Sequence, residues 1–202
     1  MITNTHLLFS RLIFKHCLNE FDFKLCKGIF MYGNIKPDIF SGQTNNSHSL
    51  EDSSDIVQKY IDKLTSDKLT IQQFSLTLGM LCHYTCDFFC IYHSEEFKNK
   101  NIFRHLTYEI QLHYKFMILL ITGKFKLIKN IDLPQRDILS MILEMQKRYL
   151  KEEESGLKDL TYAISTAILI SESVLRFRII KAQSSKASNT DIYKLPKVVG
   201  GI

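Results

Sequence analysis

Between Gly79 and Glu109 the chain carries His83-x3-Asp87-x5-His93 and then His105-x3-Glu109. Imidazole nitrogen and carboxylate oxygen are donors that zinc accepts. Residues four apart lie on one side of an α-helix, so His83 with Asp87, and His105 with Glu109, each form a two-point clamp. His93 lies about 80° from the His83 line on a regular helix, which directs it to a neighbouring ion. Either pair alone is more simply a hydrogen-bonded core pair. Two such pairs joined by a spaced histidine point instead to a polynuclear metal site with adjacent subsites.

Further candidates lie upstream: His6 in Thr-His-Leu-Leu, Asp38 in Gly33-Asn-Ile-Lys-Pro-Asp, and His48 in Ser-His-Ser-Leu-Glu-Asp. The order His, Gly-Asn-Ile-x-Pro-Asp, His, Leu-x-His-Tyr-x-x-Asp-x5-His and His-x3-Glu resembles the zinc-dependent phospholipase C family, from near residue 1 to about residue 115. The resemblance implies one zinc held by Asp38, His48, His83 and Asp87, a second by His93, His105 and Glu109, and a third by His6 and Asp87, so two or three ions. In secreted members of that family the third ion also takes the main-chain amine and carbonyl of a processed N-terminal Trp. This chain contains no Trp and begins at Met1, whose own α-amine is the available equivalent if the segment folds back.

The implied chemistry is metal-assisted phosphodiester hydrolysis, with a glycerophospholipid cut to diacylglycerol and a phosphorylated headgroup. The expected partner is a phospholipid or membrane-surface substrate. Asp38 is the candidate catalytic residue: framed by Gly33 and Pro37, it is expected on a turn that places a carboxylate at the open side of the cluster to bind metal and orient or deprotonate water. No segment matches the membrane-binding β-domain of some longer family members, so lipid access is expected to rest on helices alone. Two alternatives stand beside this reading: a single-strand-type zinc nuclease, which uses a similar ligand set, and a non-catalytic helical protein stabilised by its metals. No aromatic and basic stretch is arranged to stack bases.

The elements that must position these residues read as helices. With 202 residues, 45% of them hydrophobic and 23% charged, the chain suits one globular domain. The fold expected is all-α: a compact multi-helix domain over 1–182 and a polar, flexible tail over 183–202. Helices are expected through about Asn19, capped by Thr5 or a neighbour, to a C-cap at Gly33, from Ser49 with Asp52 as capping partner to about Leu64, from about Ile71, from Ile102 to Thr122, and from Pro134 and Gly156. A net charge of +5 favours anionic partners without choosing among them.

Cys82, Cys86 and Cys90 form a stripe on one helix line, read as small buried thiols that pack the central helix, and the odd cysteine number argues against a disulfide framework. His16 and His113 are expected in hydrogen-bonded structural roles, with His113, one turn past Glu109, the better placed to support the cluster. The N-terminal apolar stretch is broken by Arg11 and contains His6, so no secretory signal is visible and a cytoplasmic location is expected, with secretion by another route left open. The run Phe116–Ile121 is too short to span a bilayer. Flanked by Lys115, Lys124, Lys126 and Lys129, it is read chiefly as ordinary helix packing, and second as a membrane-interface contact with Phe125 and Ile128 inserted.

Overall fold

The computed structural model describes residues 1–40, 49–66, 69–94, 101–128 and 137–191. Their regular elements are all helical: α1 (Thr3–Glu20), α2 (Lys27–Phe40), α3 (Leu50–Thr65), α4 (Ile71–Asp87), a 3-10 turn (Ile91–His93), α5 (Ile102–Ile121), α6 (Ile138–Lys151) and α7 (Gly156–Asp191). Around α4 pack α1, α2, α3 and α7, while α5 and α6 lie against α7. Almost all of α4 from Phe74 onward is buried, as the scarcity of charge along it requires.

Local chemistry sets the helix starts. Ser49 caps α3 by accepting from the Asp52 amide, as its sequence signature indicates. Thr70 and Gln73 make a reciprocal capping box at α4, and Asp137 accepts from the Ser140 amide at α6. The helix α1 departs from expectation: its N-cap position is Ile2, without a side-chain bond, and Thr5 lies inside the helix and is buried. The chain upstream of Thr5 is anchored by the buried Met1 in the interior, and the helix begins three residues earlier than a Thr5 cap would place it.

A larger correction concerns α2. Gly33 does not end the helix, and Asp38 is not on a turn: α2 runs through Gly33 and Pro37 to Phe40. Pro37 lacks an N–H for the Gly33 carbonyl. Tertiary packing overrides that loss, because at Gly33 the backbone of α2 lies directly against that of α4. A Cβ on Gly33 would meet the Leu76 carbonyl oxygen at 2.4 Å. Glycine here serves close approach and not a left-handed conformation.

Phe9, Ile13 and Cys17 bury one stripe of α1, and Leu160, Ala163, Ile164, Ala167 and Val174 bury one side of α7. Cys82 touches the Ser171 hydroxyl at 3.3 Å and Cys86 points to the Ala163 carbonyl at 3.8 Å, so the thiol stripe packs α4 on α7. All five cysteines are free. The helix α7 continues to Asp191, past the composition boundary at 182, and residues 192–202 lie outside those described.

Candidate metal centre

His83 and Asp87 share the buried side of α4, with His83 Nε2 3.3 Å from Asp87 Oδ2. The glycine crossing brings α2 beside them, so that Asp38 Oδ1 lies 3.6 Å from the same Nε2. His83 Nδ1 is 2.8 Å from the Asn34 carbonyl, which can only accept. Nδ1 therefore carries the proton that makes this bond, and Nε2 is aimed at two carboxylates. From α1, His6 Nε2 reaches Asp87 Oδ1 at 3.1 Å. Thr3, one turn earlier, donates to Asp38 Oδ2 at 3.0 Å.

A second group adjoins the first. Because α4 ends at Asp87, the reckoning of His93 around a continuous helix does not apply; the 3-10 turn carries it instead. His93 Nε2 and His105 Nε2 each lie 2.9 Å from Glu109 Oε1, and His93 Nδ1 faces Asp87 Oδ2 at 3.8 Å. His93 thus stands between the two groups, with one ring nitrogen toward each. Cys90 joins His93 and Glu109 in a cluster of mutually close donor atoms.

The α-amino group of Met1 completes the arrangement. It is buried 2.5 Å from Asp87 Oδ1, 3.0 Å from Glu109 Oε1 and 3.2 Å from His93 Nε2. Asp87 is therefore compensated by an ammonium as well as by imidazoles, and a metal is not its sole possible partner. Burial by itself would lower the Met1 pKa, but the Asp87 and Glu109 carboxylates raise it to about 12. Burial would raise Asp87, yet the Met1 ammonium and the surrounding histidines hold it well below the usual carboxylate range. Burial also lowers His93 to about 4, so its ring is neutral at neutral pH. Asp38, mainly through burial, is pushed up.

The donor set fits zinc. It offers neutral imidazole nitrogens and carboxylate oxygens, and the backbone-anchored His83 turns an Nε2 lone pair toward Asp38 and Asp87. A lone pair facing two carboxylates is favourable when a cation lies between them. Burial pushes the Cys90 thiol up, which keeps it protonated unless a cation displaces the proton.

Of the residues expected to bind metal, His6, Asp38, His83, Asp87, His93, His105 and Glu109 are brought into these two adjoining groups. His48 lies outside the described residues. His113 makes its contact with the Thr5 hydroxyl at 3.1 Å, on the turn that carries His6, and His16 pairs with Glu172 at 2.6 Å.

Sequence reasoning missed Asp159 on α7. Its Oδ2 accepts from the Ile91 amide at 3.1 Å and from the Tyr108 hydroxyl at 2.8 Å, and its Oδ1 accepts from Tyr149 at 2.9 Å. Those bonds tie the turn bearing His93 to the helix bearing Glu109. The only sequence signal was an acidic residue within a largely apolar helix.

A family model described as zinc dependent phospholipase C matches residues 5–156. No match was found among curated proteins or among solved structures.

Proposed function

Since the chain belongs to the zinc-dependent phospholipase C family, we propose that it hydrolyses the phosphodiester of a glycerophospholipid, releasing diacylglycerol and a phosphorylated headgroup. The observation that carries this reading is the placement of Asp87. This fully buried carboxylate turns one oxygen to His6 and the other to His83 and His93, an arrangement suited to bridging neighbouring ions.

We assign Asp38, His48, His83 and Asp87 to one zinc and His93, His105 and Glu109 to a second. His6, Asp87 and the Met1 amine are the donors proposed for a third. The amine binds only after losing its proton, so metal uptake at that position releases a proton. Zinc bound here lowers the pKa of a coordinated water and offsets charge on the phosphate oxygens.

Asp38 is the proposed base. Its side chain is 20% exposed, against 11% for Glu109 and 0% for Asp87, so it reaches furthest toward the side from which water and substrate arrive. The Thr3 hydroxyl holds Oδ2, and the carboxylate so oriented would position the attacking water and take its proton.

The test is metal content by mass spectrometry on the parent and on Asp87→Asn, with hydrolysis of phosphatidylcholine and of single-stranded DNA measured on the same samples. Zinc in the parent, its loss or halving in the variant, and lipid cleavage by the parent alone support the reading. Zinc with DNA cleavage would replace it with the nuclease, zinc without either activity with the structural role, and absence of zinc would overturn it.

A further inference from the structure

The helix that carries His105 and Glu109 has an uncovered apolar side. Phe103, Leu106, Ile110, Tyr114, Ile118 and Ile121 recur at intervals of three or four residues along α5, so they form one stripe about 27 Å long. All are exposed, Phe103 to 75%, Tyr114 to 65% and Ile121 to 80%. A contiguous apolar face of this length marks an interaction surface, whereas scattered exposed apolar residues need no explanation. Phe116 and Leu112 supply the buried side of the same helix.

The position and charge of the stripe select its occupant. Leu106 follows His105 and Ile110 follows Glu109, so a surface lying on the stripe meets the rim of the metal centre. Between residues 102 and 128 the only carboxylate is Glu109, which is buried in that centre, whereas Arg104, Lys115, Lys124 and Lys126 are all exposed. On a helical wheel Arg104 and Lys115 flank the stripe on the side away from His105 and Glu109. An apolar face rimmed by cations matches the acyl and phosphate layers of a phospholipid surface. Two copies joined through this face would oppose like charges at the rim, which disfavours self-association. Among the described residues no helix is long and apolar enough to cross a membrane. The contact is accordingly in the plane of the interface.

We propose that the exposed stripe of α5 is a membrane-docking surface that lays the metal centre against the lipid headgroups, an assignment that rests on the phospholipase reading for its purpose. This differs from the interface contact read from the sequence. Phe125 packs edge-on against the buried Phe116 at 5.2 Å, and Phe125 and Ile128 are both half-buried against the core, so these two are not the inserted residues.

The experiment compares the zinc-loaded parent with a Phe103→Ser/Ile118→Ser variant, both substitutions lying on exposed positions outside the metal centre. Sedimentation is measured with vesicles of phosphatidylcholine and of an equimolar phosphatidylcholine and phosphatidylglycerol mixture. The expected result is a fall in vesicle partitioning of about tenfold or more in the variant. A Lys115→Glu/Lys124→Glu variant should lose affinity for the mixed vesicles only, and added salt should mimic it.

Hydrolysis of a short-chain phosphatidylcholine below its micelle concentration should be unchanged in the apolar variant, while vesicle hydrolysis falls. If the parent cleaves neither substrate, the phospholipase reading fails, yet sedimentation still decides the surface. Failure of the parent to sediment, or equal sedimentation of the apolar variant, would overturn the docking surface. So would a dimer by light scattering that the apolar substitutions dissociate without changing vesicle binding.

Discussion

Gly33 and Gly79 meet backbone to backbone where α2 crosses α4: their Cα atoms are so placed that a Cβ on Gly79 would lie 2.3 Å from the Phe30 carbonyl oxygen and 3.0 Å from the Gly33 Cα. No side-chain rotation relieves a clash with backbone, so alanine here must push two helices apart. The crossing also sets the distance from Asn34 and Asp38 to His83, so packing and ligand geometry fail together.

Gly79→Ala is therefore expected to destabilise the fold by about 1–3 kcal/mol or more by overpacking. Urea unfolding of the metal-free protein measures this. The same variant should bind less zinc than the parent, whereas Gly28→Ala, where nothing stands near the added Cβ, should leave both unchanged.

Asp159 holds Ile91 and Tyr108 on one carboxylate oxygen without itself belonging to the candidate ligand groups. Asp159→Leu leaves the Ile91 amide and the Tyr108 and Tyr149 hydroxyls to find other partners, at a cost of about 1–3 kcal/mol each where they stay buried. The expected functional effect is a zinc affinity about 10–100-fold weaker at the subsite of His93, His105 and Glu109. Competition with a chelator reads it. Full retention of affinity would reduce Asp159 to a purely structural group.

The pattern of what was legible follows from the range of the interactions. The clamps His83/Asp87 and His105/Glu109, the Ser49 cap and the all-helical class depend on periodicity within one element, and sequence carries that directly. The path of α2 was misread because Gly and Pro ordinarily punctuate helices, and only contact with α4 reveals why this helix continues through both. Asp159 and the outward side of α5 were hidden for a related reason, and the Met1 amine could be raised from the resemblance but not placed. Each acquires its meaning from elements far away in the chain, and periodicity cannot say which side of a helix is left uncovered.

Thiol labelling offers a check on the core. Cys17, Cys82, Cys86 and Cys90 are buried, and burial pushes the thiols of Cys17 and Cys82 up to about 12, while Cys26 is half-buried. The nucleophile is the thiolate, so the native protein at neutral pH should react at Cys26 and resist at the other positions. In urea all five should react. Mass spectrometry after alkylation locates the labels. Rapid native labelling of Cys82 or Cys86 would contradict the packing of α4 on α7.

The pH dependence of the metal-free protein follows from the groups around Asp87. His93 has a folded pKa of about 4 below its ordinary value of 6.5, so on acidification the unfolded chain takes up a proton that the folded chain refuses. Stability then falls as pH drops from 6.5 toward 4. Asp87 and Glu109 are both held below their ordinary ranges, so their contributions are also lost on acidification. The Met1 amine has the opposite sign. Its folded pKa of about 12 exceeds the ordinary 8.0, so its contribution is complete below pH 8 and disappears as pH rises toward 12. Unfolding followed by denaturant midpoint should therefore show a plateau between about pH 6.5 and 8, with loss on both sides. Acetylation of the Met1 amine removes the ammonium and should lower the plateau and weaken the alkaline branch, leaving the loss above about pH 9 that the raised Cys17 and Cys82 thiols contribute. An alkaline branch identical in acetylated protein would show that the Met1 amine does not compensate Asp87.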